Sequence, residues 1–479
     1  MTDPVALPHS GVGFETSLGV SAIPGPRGRA NLRGFRHLFT DLGPALDELS
    51  ATYGSICSLG VPGVRVVVIG DPALANQMVS MKADTFRWGN KFNVIGVRFV
   101  VGKRSMIVSD GADHRRRRGA VQRAFTRPRL NRWIPMIVER SDAAIDQVVS
   151  LVADHPADRQ IDLYPVGRDL ILGVTLHAFF GERLANRVDE FSELFQRAQA
   201  FIEAPGINQL PHPFPFTSRS RVRADRRKID RIIDEEVAAR RTDPTGDPFD
   251  ILDVIANDGT LTDAEIRDQV DTLIGAGYDT TASTFAWLLW CAALEPGVWS
   301  RLRAEADQIL GLDDTTRPIH DDATLSRLEY AHRVVHESLR LHPAGLIGAR
   351  VAARDIRLGD YVVKKGTLIA WSPYLVGRDP DTWTDPHEFN PDRYLTLTDE
   401  QKTATDRAWI PFGRGPHMCL GYALAQMELV LMIARFAQRL DLTPTSDVIP
   451  DPTGMVVNRP IGGAPFTIRP RSPSFPGSI

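Results

Sequence analysis

Apolar residues alternate with polar ones from Ile56 to Ile69, and Val61-Pro-Gly63 interrupts the run, which predicts a β-hairpin. Cys57 falls in its first strand and is expected to be a small core residue. From about Asp71 onward the apolar spacing changes to three and four, so helices should dominate. A second β region is predicted from Arg354 to Trp371, with turns at Gly359-Asp360 and Lys365-Gly366, and a last extended stretch around Gly454 to Ile468. Thr262-Asp-Ala-Glu265 is a capping box that starts a helix running to about Leu294, where Pro296-Gly297 ends it. At 1.5 Å per residue such a helix is roughly 50 Å long and crosses a whole domain. A further helix is predicted from Leu325 to Leu341, stopped by Pro343. The segment 204–216 contains four prolines, which should exclude regular structure; its apolar residues leave open a lid or a plain surface connection.

Composition narrows the function classes. The 56 basic and 59 acidic residues nearly cancel, which argues against nucleic acid as the main partner. No apolar run reaches 18 residues, so no membrane anchor is expected, and the first 27 residues carry no targeting pattern. Cys57, Cys291 and Cys419 are too far apart for CxxC redox or zinc chemistry, or for covalent c-type haem attachment. So few cysteines fit a reducing cytosol, and a soluble cytoplasmic protein is expected.

Candidate chemistry centres on Cys419, in Phe412-Gly-Arg-Gly-Pro-His-Met-Cys-Leu-Gly421. Three glycines and a proline predict a tight loop with free backbone N–H groups, and the helix after it would turn its positive end to the sulfur. Both should favour a thiolate able to bind a metal. A nucleophilic role with His417 is disfavoured, because residues two apart do not face each other and no orienting acid is evident. The long helix holds Ala276-Gly-Tyr-Asp-Thr-Thr281. Gly277 costs about 1 kcal/mol there, which the close approach of a ligand or a local widening of the helix would offset. Asp279 and Thr280 could relay a proton, while a threonine bonded back to its own helix is the ordinary alternative. Glu337 and Arg340 can pair at i, i+3. His114 and Arg118 share a helix face, either as part of a solvated charged run or as an anion site with Arg115, Arg116 and Arg117 turned to an acidic partner.

Together these features resemble the cytochrome P-450 family from about Ile23 to Ile468. Phe412, Gly415, Cys419 and Gly421 match its Phe-x-x-Gly-x-x-x-Cys-x-Gly loop, and Ala276 to Thr281 its oxygen-activating helix. Glu337 and Arg340 match Glu-x-x-Arg, and Arg393 in Phe389-Asn-Pro-Asp-Arg-Tyr394 is the third member of that ion-pair network. The resemblance implies a mainly α fold with small β regions, haem b lying between a long distal helix and the proximal Cys-loop helix. Residues 23–479 would form one catalytic domain after a tail, 1–22.

It further implies that Cys419 is the axial thiolate, tuned by backbone N–H groups around Gly421, and that Asp279 and Thr280 deliver protons to dioxygen. His114, Arg118, Arg350 and His417 would hold the haem propionates, with Phe412, Ala276 and Gly277 also against the haem. Glu337, Arg340 and Arg393 would be structural. The substrate pocket would be lined by the loop 88–107, Leu273, Ala276, Thr280, Leu346, Ile347, Met455 and Val456, whose apolar character suits a lipid, steroid, terpenoid or polyketide. His417 replaces the arginine of many members. Sixty residues after Cys419 are too few for a reductase domain. The expected electron source is therefore NAD(P)H through a separate ferredoxin and ferredoxin reductase, docking at Arg115–Arg117 and Arg414. Peroxide-driven oxygenation and a non-catalytic haem sensor or carrier are the alternatives; the intact Asp279-Thr280 pair argues against both.

Overall fold

The computed structural model describes residues 22–471 except 89–94, 155–158, 186, 205, 244–248 and 312–320. The expected tail 1–22 therefore lies almost wholly outside the described residues, as does the end of the chain after 471. The helices that build the site are α1 (Ile95–Val101), α2 (Gly111–Gln122), α3 (Leu163–Phe180), α4 (Val188–Glu203), α5 (Ser218–Thr242), α6 (Asp263–Leu294), α7 (Glu329–Leu341) and α8 (Tyr422–Arg439).

The long helix α6 is the axis. Thr262 and Glu265 close the capping box at its start, as the sequence predicts. It carries apolar residues on most faces, and α3, α5, α7 and α8 pack around it. Ile266, Val270, Ile274, Phe285, Leu288 and Leu289 are all buried, each contributing roughly 2 kcal/mol of transfer free energy.

The predicted hairpin forms as β1 (Ile56–Val61) and β2 (Val64–Ile69), paired from Ile56↔Ile69 to Val61↔Val64. Cys57 is buried within it. A five-stranded sheet adds β3 (Phe86–Arg87), β4 (Gly348–Ala352) and β5 (Leu368–Trp371) in the order β1-β2-β5-β4-β3. The second β region thus begins at Gly348, earlier than the sequence suggests. A separate pair, Ile356–Leu358 with Tyr361–Val363, turns at Gly359-Asp360 as expected. Near the end, Pro452–Thr453 pairs with Arg459–Pro460, and Pro465–Pro470 joins a three-stranded sheet with Gln160–Asp162 and Leu440–Pro444.

Two expectations fail. The helix predicted over 325–341 is two helices, Asp322–Arg327 and α7, broken at Leu328 with ψ 56°. The break is stabilised from outside. The carboxylate of Glu305 accepts the N–H groups of Tyr330 and Ala331 at 2.6 and 2.9 Å, capping the start of α7 from a different helix. The 204–216 segment also contains a short helix, Gly206–Gln209. Gln209 closes it back onto α4, donating to the carbonyls of Ile202 and Ala204 at 2.7 Å each.

Candidate functional site

The cysteine loop is built on Gly415. Its φ is +69°, and a Cβ there would stand 2.5 Å from the Val79 carbonyl oxygen, so only glycine fits. The loop then closes with Cys419 N–H donating to Phe412 O at 2.8 Å, and α8 starts three residues after the sulfur. Cys419 is exposed, whereas Cys57 and Cys291 are buried. Burial of the thiol is nonetheless the largest influence on its pKa and raises it. The Gly421 N–H and the Arg118 charge pull the other way. Burial thus works against the thiolate that the loop and the helix end are expected to favour.

The buried thiols of Cys57 and Cys291 are pushed up to about 12. In haem-free protein at pH 8, one cysteine should therefore react with a small thiol reagent and two only after denaturation. Rapid native labelling of more than one, or protection of Cys419, would contradict this accessibility pattern.

Four nitrogen-bearing side chains gather beside the loop. The rings of His114 (α2) and His417 stack at 4.0 Å. His417 is lowered to about 3, first by burial and then by the charges of Arg350, His114 and Arg118. His114 is lowered to about 4 by burial, Arg118, Arg350 and Arg115. Arg350, on β4, is pressed between Trp88 and Trp371, 4.3 and 5.2 Å from their ring centroids, and burial brings it down to about 10. The carboxylate whose charge reaches Arg350 is Asp110, and its Oδ1 already accepts the Trp88 N–H. Burial first, and the neighbouring arginine charges second, lower both histidines, so the cluster carries positive charge that suits an anionic ligand.

The middle of α6 is more exposed than the rest of that helix. Ala276 is exposed and Gly277 and Thr280 are half-buried, in a helix otherwise mostly buried. Outside the helix itself, the nearest heavy atom to a Cβ on Gly277 would be Thr175 Oγ1 at 3.9 Å. Packing of neighbouring elements therefore does not require that glycine.

The acid and alcohol are arranged differently from the expected direct relay. Thr280 Oγ1 donates to Ala276 O at 2.7 Å, the back-bond that the sequence left as the ordinary alternative. Asp279 is buried, and its two oxygens accept from Tyr164 Oη at 2.9 Å and Arg459 Nη2 at 2.6 Å. Arg459 lies 3.7 Å from Glu203 Oε1, at the end of α4. Glu203 in turn accepts the N–H groups of Met455, Val456 and Val457. Sequence reasoning missed Tyr164, Glu203 and Arg459, because residues this far apart leave no local pattern.

Glu337 is fully buried and its carboxylate is saturated. Arg340 donates through Nε at 2.9 Å and Nη2 at 2.8 Å, Arg393 Nε at 2.8 Å, Tyr394 Oη at 2.7 Å and Asn390 N–H at 3.1 Å. Burial opposes the charge, but Arg340 and Arg393 win and hold the carboxyl below its usual range.

One other expectation needs correction. Arg117 is buried, with Nε on Glu265 at 2.9 Å and Nη1 on Ser109 Oγ at 2.6 Å; Arg116 bonds Glu265 and the Thr260 carbonyl. They tie α2 to the start of α6 and are not free for a partner, whereas Arg115 is exposed. Leu346 is buried in a cluster with Leu42, Leu46 and Tyr374, against which Ile347 and Met455 also pack. Ile347, Met455 and Leu273 are half-buried and Val456 is exposed. Part of the 88–107 segment, residues 89–94, lies outside the described residues.

A family model described as Cytochrome P450 matches residues 31–464.

The chain belongs to the cytochrome P450 family.

A Mycobacterium tuberculosis protein called cytochrome P450 139 is 33% identical over 403 residues, covering 83% of this chain and 90% of that one. The cyclooctat-9-en-7-ol 5-monooxygenase of Streptomyces melanosporofaciens is 29% identical over 405 residues, covering 82% of this chain and 83% of its own. A cyanobacterial structure, retinoic acid-bound CYP120A1, superposes with a TM-score of 0.79 over 95% of this chain and all of its own, at 22% identity; that likeness shows the fold. This P450 is accordingly a haem-dependent monooxygenase that uses O2. Among its described residues no helix is long and apolar enough to cross a membrane, and no three His, Cys, Asp or Glu side chains gather as an ion cage. A lone accessible thiol beside donors for two carboxylates fits haem, whose macrocycle brings its own iron ligands.

Proposed function

We propose that residues 23–479 act as one cytoplasmic catalytic unit that oxygenates an apolar small molecule of the lipid, steroid, terpenoid or polyketide kind, with electrons from NAD(P)H through a ferredoxin and its reductase. The observation that carries the reading is the accessible Cys419 sulfur beside His114, Arg118, Arg350 and His417. Cys419 would ligate the haem iron through its sulfur, with the Gly421 N–H moderating its charge. The four donors would hold the propionates through charge-assisted hydrogen bonds. Phe412, Ala276 and Gly277 would pack on the macrocycle. When bound, haem supplies O2 activation and transfer of one oxygen atom to substrate, the other leaving as water.

The protein's own part is positioning and proton supply. Thr280, on the more exposed middle of α6, would orient the water or hydroxyl hydrogens at the reacting face. Asp279 would feed protons to it after turning away from Tyr164 and Arg459, whose hydrogen bonds hold the carboxylate in reserve. Arg115 and Arg414 are the remaining candidates for the electron-donor face. Apolar substrates are consistent with the compound named for the Streptomyces relative and with the retinoic acid held by CYP120A1.

The test pairs a surrogate ferredoxin system plus O2 with H2O2 alone. Reductant-driven turnover should dominate. Asp279→Asn should lower it about 100-fold, the scale of one general acid, while peroxide-driven turnover changes little. Efficient turnover by peroxide alone would favour the peroxygenase alternative, and equal loss in both assays would remove Asp279 from proton delivery.

A further inference from the structure

The junction of α1, α4 and α5 holds a buried cation that no carboxylate balances. Arg219, the second residue of α5, is 8% exposed. Its guanidinium lies 3.8 Å from the Phe99 ring centroid. Nη1 donates to Gln209 O at 2.8 Å, but Nε has no hydrogen-bond partner. A second guanidinium, that of the exposed Arg223, stands 5.9 Å from the same ring. The nearby acids are occupied. Asp225 takes a two-point bond from Arg197 at 2.7 and 2.9 Å, and Glu203 is held by backbone N–H groups. Among the described residues no carboxylate pairs with Arg219 or Arg223.

The helix end adds to the imbalance. The first turn of α5 contains no acidic residue, although a helix N-terminus carries partial positive charge and favours anions. Arginines there run against that preference, so three sources of positive potential meet. Their surroundings are apolar: the Phe99 and Phe201 rings meet at 5.3 Å, tilted by 50°, and Phe99 and Val100 pack against Ala198, Phe201 and Val222. The 204–216 connection, with Phe214 and Phe216 exposed, leads directly into α5. A cation stack on one aromatic ring does not offset the usual cost of burying an uncompensated guanidinium.

We propose that Arg219 and Arg223 form an anion anchor for the substrate, and that the substrate is an amphipathic carboxylic acid whose apolar body extends past Phe99 and Phe201 into the protein. The inference rests on the monooxygenase reading and names its substrate class. A guanidinium fork matches a carboxylate in shape and charge. Held there, the head group would fix how far the apolar body reaches towards the more exposed middle of α6, and so which carbon is oxidised.

The experiment uses holoenzyme and three skeletons, linear, isoprenoid and steroidal, each as the free acid, primary alcohol and methyl ester. Dissociation constants are measured by equilibrium dialysis and, in parallel, by the Soret shift. For at least one skeleton the acid should bind about tenfold more tightly than its alcohol or ester, a gap expected for one charge-assisted contact. That preference should shrink in Arg223→Gln, whose side chain is exposed and not needed for packing, and vanish in Arg219→Gln, with Arg219→Lys keeping part of it. The affinity of the alcohol should stay the same throughout. Equal binding of acid, alcohol and ester by the unaltered protein would overturn the proposal, as would no binding of any acid. So would a parallel loss for acid and alcohol in Arg219→Gln, which would make Arg219 a packing residue for Phe99. The spectrum of the reduced, CO-bound protein, recorded on the same samples, reports the haem-thiolate centre separately.

Discussion

Replacing Cys419 by serine should abolish the thiolate-type Soret band of the reduced, CO-bound protein and lower monooxygenation by more than about 100-fold, since even second-shell partners of a metal ligand cost 10–100-fold. The expectation follows from the three cysteines taken together. Two are buried thiols pushed up to about 12, and the third is exposed. The fold should survive, because the loop is held by Gly415 and by the Cys419 N–H, neither of which the substitution removes. Cys419→His is the sharper variant: the band should move to the position typical of histidine ligation while the protein stays folded. An unchanged thiolate-type band in either variant would defeat the assignment of the ligand.

Glu337→Ala should destabilise the folded chain by about 3–5 kcal/mol, the cost of breaking a buried ion pair from one side. Five hydrogen bonds end on this carboxylate, and its removal strands Arg340, which is 1% exposed. Arg340 would keep only the carbonyls of Gly377, Pro386 and Glu388. The denaturation midpoint in urea should fall with the slope unchanged. The sign with pH is fixed by the direction of the shift. Glu337 is held below its ordinary value in the folded state, so its contribution is complete above the unfolded carboxyl pKa and disappears as pH falls through the lower, folded one. The difference in stability between the unaltered protein and the alanine variant should therefore be largest near neutral pH and narrow in acid. A loss below about 1 kcal/mol, the range of a surface pair, would show that the network is not what holds this side of the molecule.

The same residues show what a linear reading can reach. Glu337 and Arg340 are three apart, so their pairing is written in one helix. Arg393 could be added only by resemblance, and Tyr394 and the Asn390 N–H appear once the chain has folded back. The long helix was legible to within a residue because its capping box is local. The break at Leu328 was not, because the groups that stabilise it belong to Glu305 on another helix. The run Arg115–Arg117 illustrates the limit best. Adjacent arginines look alike in sequence, yet the helix turns Arg117 and Arg116 onto Glu265 and leaves Arg115 in solvent.

The sequence by itself determined the mainly helical architecture, the cysteine loop and the class of chemistry, since each is set by contiguous residues whose backbone demands are local. Tertiary structure alone decided the electrostatics. Whether Cys419 is a thiol or a thiolate, whether Asp279 answers to Thr280 or to Tyr164 and Arg459, and which arginines are left without an acid all depend on desolvation and on partners up to 180 residues away. Burial and Coulomb terms act through space and leave no periodicity in the chain, so they could be read only after folding had brought those groups together.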